Sequence, residues 1–181
     1  MSNKNQGKIF EKSIEQSCEE QGIFYFRVRD VNPMALKKNF RIPQNKYDCL
    51  IYYKAHLFPM EFKSTKSKSI SFSESVIKSN QIKNLYESLK YKGVIPGFLF
   101  NFREPINKTY FIHIKDFMKY KDVAENGLKH TYKNKVNKSS IPIGICEEIG
   151  TEVKNVKKKT NYRYYINLLL DELIKKYGVY K

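Results

Sequence analysis

The sequence is short of acidic residues, of cysteine and of uninterrupted apolar runs. Its 181 residues hold 18 Asp and Glu against 34 Lys and Arg, a formal net charge of +16. That imbalance disfavours basic partners and attracts polyanions, of which nucleic acid is the most abundant large one. A Lys-rich composition also arises in A·T-rich genomes, so charge alone does not assign the partner. The three cysteines, Cys18, Cys49 and Cys146, show no C-x-x-C spacing, which excludes a zinc-finger pattern and a disulfide framework. They are expected to be buried or idle thiols in a reducing compartment. His56, His113 and His130 have no H-x₃-H arrangement, and none is read as a metal ligand. The longest apolar runs, "VIPGFLF" and "INLLL", fall short of the roughly 20 residues that span a bilayer. The opening "MSNKNQGKIFEKS" has no apolar h-region. A soluble cytoplasmic protein with no membrane contact is expected.

The length suits one domain, 1–181, with a substantial core. No internal repeat is visible. "GKIFEKSIEQSCEEQG" has helical spacing and a glycine stop at Gly22. "IFYFRVRDV" has strand composition, with Arg27 and Arg29 on one face. The basic, proline-containing segment 32–46 lacks a period and reads as a loop or short stalk. "YDCLIYY" and "LFPMEFKS", separated by "KAH", form a predicted hairpin in which Pro59 calls for an edge or a bulge. A helix with Ile82, Leu85, Tyr86 and Leu89 on one side precedes strands in "VIPGFLFNF" and "TYFIHI". Beyond them the expectations are a short helix near "IKDFMKYKDVAENG", a basic loop "KHTYKNKVNKSS", an extended "IPIGI" and a charged loop "TEVKNVKKKTN". A final helix, "YRYYINLLLDELIKKYG", carries a Tyr165, Leu168, Leu169 and Leu173 stripe. The order predicts an α/β protein with a mixed β-sheet flanked by α-helices.

The chemistry concentrates at "MEFKSTKSKSISF", residues 60–72. Side chains alternate along a strand, so Glu61 and Lys63 share a face while Phe62 points to the core. Hairpin pairing brings Asp48 beside Glu61, placing two carboxylates and an ammonium together. Mg²⁺ suits such a set, because it binds through one or two carboxylates and keeps several waters. The backbone carbonyl of Phe62 is a further candidate ligand, and Glu11 on the opening helix can approach from another element. A metal-bound water, positioned by Lys63, points to phosphodiester hydrolysis. The competing reading is an ordinary surface ion pair. The "EVK" at 152–154 shows how cheaply the pattern arises in a Lys-rich chain.

Asp48, Glu61-Phe62-Lys63, the upstream Gly7-Lys8-Ile9-Phe10-Glu11 and the downstream Asn80-Gln81-Ile82 together resemble the PD-(D/E)XK nuclease superfamily. Within it the sequence most resembles the RecU-type Holliday junction resolvases, through most of its length. The resemblance implies a restriction-endonuclease-like fold and a homodimer that nicks four-way DNA junctions in pairs with Mg²⁺, or Mn²⁺ in its place. It implies metal binding by Asp48, Glu61 and Phe62, and catalytic roles for Glu11, Asp48, Glu61, Lys63 and Gln81. DNA contacts are expected from Lys8, Arg27, Arg29, Lys37, Lys38, Arg41, Ser64, Thr65, Lys66 and Lys68. Gln6, where the family tends to have Arg, Tyr47, where it often has Thr, and the short 32–46 segment mark a phage-type or otherwise divergent member. Two other expectations stand beside this one: a restriction- or repair-type nuclease of the same superfamily, and a basic DNA-binding relative that does not cut.

Overall fold

The structure is a computed structural model that describes residues 3–28 and 45–178. Most of the expected stalk, with Arg29, Lys37, Lys38 and Arg41, lies outside the described residues. Helix α1 (Asn3–Glu19) opens the chain, and Gly22 supplies the positive φ of 64° that turns it into β1 (Phe24–Arg27). The predicted hairpin is β2 (Cys49–Tyr53) and β3 (His56–Thr65), paired from Tyr53↔His56 to Cys49↔Met60. Its turn is tighter than "KAH" suggested. Lys54 and Ala55 alone form it, both at positive φ, which matches the right-handed twist of the strands.

After the short β4 (Ser69–Ser71), helix α2 (Ser79–Ser88) crosses over to β5 (Gly97–Phe102), and β6 (Lys108–His113) follows. Helix α3 (Ile114–Asn126), β7 (Ser140–Pro142), α4 (Ile143–Ile149), β8 (Thr151–Glu152), β9 (Asn155–Lys157), β10 (Tyr162–Tyr164) and α5 (Ile166–Tyr177) complete the order. The main sheet runs β1-β2-β3-β5-β6-β8, with β3 and β5 parallel and every other neighbour antiparallel. This is the expected mixed sheet with helices on both faces.

Alternation along the strands builds two cores. Phe58, Met60, Phe62 and Leu99 face α1 and α5, where Phe10 meets Phe62 edge-on with ring centroids 5.7 Å apart. Phe98, Phe100 and Phe102 face α2, α3 and α4, joined by Leu85, Phe117 and Ile145. Glu61 and Lys63, one residue out of phase with Phe62, therefore face the α2 side. Pro59 sits in a central strand without a bulge, paired with Leu50. Its missing amide points toward β5, where pairing lapses between the Leu57–Val94 bridge and the first regular pair, Met60↔Gly97.

Several expectations for the second half are corrected. Helix α3 is not a short one: it runs 13 residues and buries Ile114, Phe117 and Tyr120 in the second core. "IPIGI" is extended only through Pro142 and then enters α4. "TEVKNVKKKTN" is not a loop: it supplies edge strand β8, the buried Val153 and the β9 arm of a hairpin with β10. The buried stripe of α5 is Ile166, Leu169, Leu170, Leu173 and Ile174, leaving Leu168 exposed. Tyr86 of α2 is exposed as well. The three cysteines are free and buried, as expected. Among the described residues no helix is long and apolar enough to cross a membrane.

Candidate active site

The β2–β3 pairing ends at Cys49↔Met60, so Asp48 is carried opposite Glu61 just where the ladder stops. The Asp48 amide still donates to the Met60 carbonyl at 3.1 Å. In return, the Phe62 amide donates to Asp48 Oδ2 at 2.8 Å, which fixes the carboxylate against β3. Within a strand the amide and carbonyl of one residue point to the same side, so the Phe62 carbonyl opens onto the same strand end. The proposed ligand atoms thus come from one hairpin terminus.

Glu61 is 1% exposed, although it is an acid. Its oxygen Oε2 receives the Gln81 side-chain amide and lies 3.4 Å from Lys63 Nζ. Burial, then the neighbouring Asp48 carboxylate with which it shares a hydrogen bond, pushes its pKa up to about 8, against the opposing pull of Lys63. Gln81 is positioned by helix α2 itself: its Oε1 accepts the Lys78 amide at 3.1 Å in a capping interaction, leaving the side-chain nitrogen for Glu61.

Glu11 projects from α1 toward the same region. Burial raises its pKa, Arg27 opposes that, and Asp48 raises it further. Its carboxylate is held by Arg27 of β1 at 2.5 Å. Lys8 lies one helical turn before Glu11 and is exposed. Glu11 and Arg27 therefore occupy each other beside the Asp48–Glu61 pair.

The remaining predicted contacts divide by face. Thr65 shares the Lys63 face, and its Oγ1 accepts the Ser67 amide at 3.0 Å. Lys66 and Lys68 are exposed just beyond, with Lys66 3.9 Å from Glu104. Ser64 points to the opposite side, where its hydroxyl donates to Asn101 Oδ1 and accepts from Arg103, both at 2.8 Å. Asn101 passes the network on to Asn107 and Thr109. Sequence reading missed this polar support. Its signal was available in "FNFR", because a strand parallel to β3 must end beside it and bring Asn101 and Arg103 alongside Ser64.

Among the described residues no three His, Cys, Asp or Glu side chains converge as a ready-made metal cluster. The donor set is of another kind: two carboxylates, one of them held protonated near neutrality by its burial and then by its neighbour's charge, plus a backbone carbonyl. A hard dication relieves that repulsion, and water can complete its coordination. The residues fit Mg²⁺ on those grounds.

No family model matches the chain. In fold it is similar to Hjc, a Holliday junction resolvase from the archaeal hyperthermophile Archaeoglobus fulgidus. The TM-score is 0.50 at 15% identity, over 81% of this chain and 95% of that one, a likeness that bears on architecture. In sequence it is 63% identical over 172 residues to the SPbeta prophage-derived uncharacterized protein YotM of Bacillus subtilis strain 168, covering 95% of this chain and 88% of the relative. Identity of that extent, over nearly the whole of both chains, places this protein in the YotM family, on a fold shared with a junction resolvase.

Proposed function

We propose that the protein is a Mg²⁺-dependent endonuclease of the PD-(D/E)XK type that resolves four-way DNA junctions as a homodimer, in the manner of the RecU-type resolvases. The observation that carries this reading is the meeting of Asp48 with buried Glu61 at the end of β2–β3, with Lys63 and Gln81 converging on the same carboxylate. A structural ion pair has no need of a buried acid with a second acid beside it, an arrangement in which burial and then Asp48 push the pKa of Glu61 up to about 8. The resolvase fold of Hjc and the +16 charge support a branched, polyanionic substrate.

In this reading Asp48, Glu61 and the Phe62 carbonyl hold the metal. When bound, it supplies an activated water and neutralises charge developing on the scissile phosphate. The Phe62 amide keeps Asp48 in place, and Gln81 keeps Glu61 oriented. Lys63 positions the attacking water and favours the ionised form of Glu61. Lys66 and Lys68 hold the backbone beside the cut. A dimer presents two such sites, and its two-fold symmetry matches paired nicks in a symmetric junction.

The test is cleavage of a labelled synthetic junction beside a linear duplex of equal length, with Mg²⁺ or EDTA, for wild type and Asp48→Ala. Paired nicks confined to the junction, dependent on Mg²⁺ and lost in the variant, are expected. Duplex cleavage would assign a restriction- or repair-type nuclease instead. Binding with no metal-dependent cleavage would assign a DNA-binding relative.

A further inference from the structure

One strongly basic part of the described surface away from the carboxylates is the segment leading from α3 into β7, "GLKHTYKNKVNKSS". Lys129, Lys133, Lys135 and Lys138 are exposed within ten residues of one another. Like charges so close repel, and a loop left to solvent would spread them. This loop is instead fastened down at every second or third position. Tyr132 and Val136 pack against the second core, and Tyr132 meets Tyr120 edge-on with ring centroids 5.5 Å apart. The Glu148 carboxylate of α4 accepts the Lys133 amide at 3.0 Å and the Asn134 amide at 2.6 Å, as well as the Asn134 side chain. The Asn137 amide donates to the Tyr120 hydroxyl at 3.2 Å. Gly144 makes the close approach possible: a Cβ there would lie 2.5 Å from Asn134 Oδ1.

The anchors face inward and the lysines outward. Pairing of β7 with β4 then lays the loop beside the segment that leaves the active-site strand, with Ile143 donating to the Lys68 carbonyl at 2.9 Å. Lys68, Ser69, Asn134, Lys135, Asn137 and Gly144 border an open depression of about 240 Å³. Among the described residues, Lys68, Lys135 and Lys138 have no carboxylate within ion-pair distance. Their charge is left for an outside partner, and the pinned backbone has already paid the ordering entropy that contact would require.

We propose that this lysine loop is a second binding surface of the protein, which grips the phosphate backbone of the DNA arm leading away from the site. It rests on the nuclease reading, and it extends the contact surface past Lys66 and Lys68 to a segment outside the hairpin. The ligand class is the sugar-phosphate backbone of duplex DNA, held without base readout.

The experiment measures binding of a fluorescent four-way junction without divalent metal, over a series of salt concentrations. Lys135→Ala/Lys138→Ala is compared with Lys175→Ala/Lys176→Ala, which removes the same two charges from the last turn of α5. That turn abuts His56 at the far end of β3. Each lost phosphate contact reduces the log–log salt slope by about 0.9, so the loop variant is expected to lose about 2 and the control almost nothing. A third variant separates geometry from net charge. Glu148→Ala makes the protein more positive, yet it is expected to bind several-fold more weakly because the loop loses its clamp. Equal slopes for the two double variants, or tighter binding by Glu148→Ala, would overturn the loop assignment while leaving the nuclease reading intact. A wild type that binds neither junction nor duplex would sink both.

Discussion

Gln81 donates to the Glu61 carboxylate while accepting the Lys78 amide at 3.1 Å, so one side chain ties the start of α2 to the buried acid. The crossover helix is thereby coupled to strand β3. Gln81→Ala should leave the fold in place and lower junction cleavage by about 10- to 100-fold, the usual cost of removing a group that orients a metal ligand. The loss should show partly as a higher Mg²⁺ requirement. A Mg²⁺ titration of the cleavage rate checks this, and an unchanged half-saturation point with unchanged rate would remove Gln81 from the site.

Under the proposed function, variants of the carboxylates and of Lys63 should separate binding from chemistry. Asp48→Ala and Glu61→Ala should abolish cleavage yet bind junction DNA as well as wild type or better, because the first removes negative charge from beside a phosphate path and the second removes a buried acid that holds its proton near neutrality. Lys63→Ala should lose at least about 100-fold in rate, as expected for a group acting on proton transfer, with affinity changed only slightly. Single-turnover cleavage and anisotropy on the same substrate provide both readouts. A variant of Asp48 that cuts normally would refute the assignment.

Ser64 serves as a check on strand phase. Its hydroxyl lies between Asn101 and Arg103 on the face away from Lys63, so Ser64→Ala should cost about 1 to 2 kcal/mol of stability, typical of two lost, partly exposed hydrogen bonds. Cleavage should stay within about two-fold of wild type, well under the tenfold that corresponds to 1.4 kcal/mol. Thermal unfolding and a cleavage assay on one preparation test it. A large fall in activity with unchanged stability would move Ser64 to the DNA side.

How legible each part was follows from the physics of the local pattern. The site hairpin could be read because Met60 and Phe62 alternate with Glu61 and Lys63 at the end of β3, which places Phe62 and Glu61 on opposite faces. Residues 151–164 could not. Strands β8, β9 and β10 are two or three residues long, too short to show a period, and Val153 is buried between Glu152 and Lys154 by tertiary pairing alone. The α5 stripe was misplaced because "INLLL" offers apolar side chains in every direction, and only the sheet beneath selects Leu169 and Leu170 over Leu168. Glu11 was placed near the site by its motif, but its pairing with Arg27 needed the third dimension.

Glu61 also gives the protein a pH dependence of defined sign. Its ordinary value is 4.5, and in the folded state it is about 8. Below the ordinary value both folded and unfolded chains hold the proton, so Glu61 contributes nothing to the slope. Between the two values the folded state binds more protons, and stability therefore falls as pH rises, by about 1.4 kcal/mol per unit from this group. Above the folded value both states are ionised and the penalty is constant. Replacing Glu61 by Gln removes the titration, so the variant's Tm should fall less steeply than wild type between pH 5 and 8. Under the proposed function a dication would take the place of the proton between Asp48 and Glu61, so added Mg²⁺ should raise the wild-type Tm more at pH 8 than at pH 6, and should do little for the variant. Differential scanning calorimetry across that range reads all three effects. Parallel pH profiles for wild type and Glu61→Gln, with no Mg²⁺ shift in either, would mean that the buried acid is structural and that the metal does not bind there.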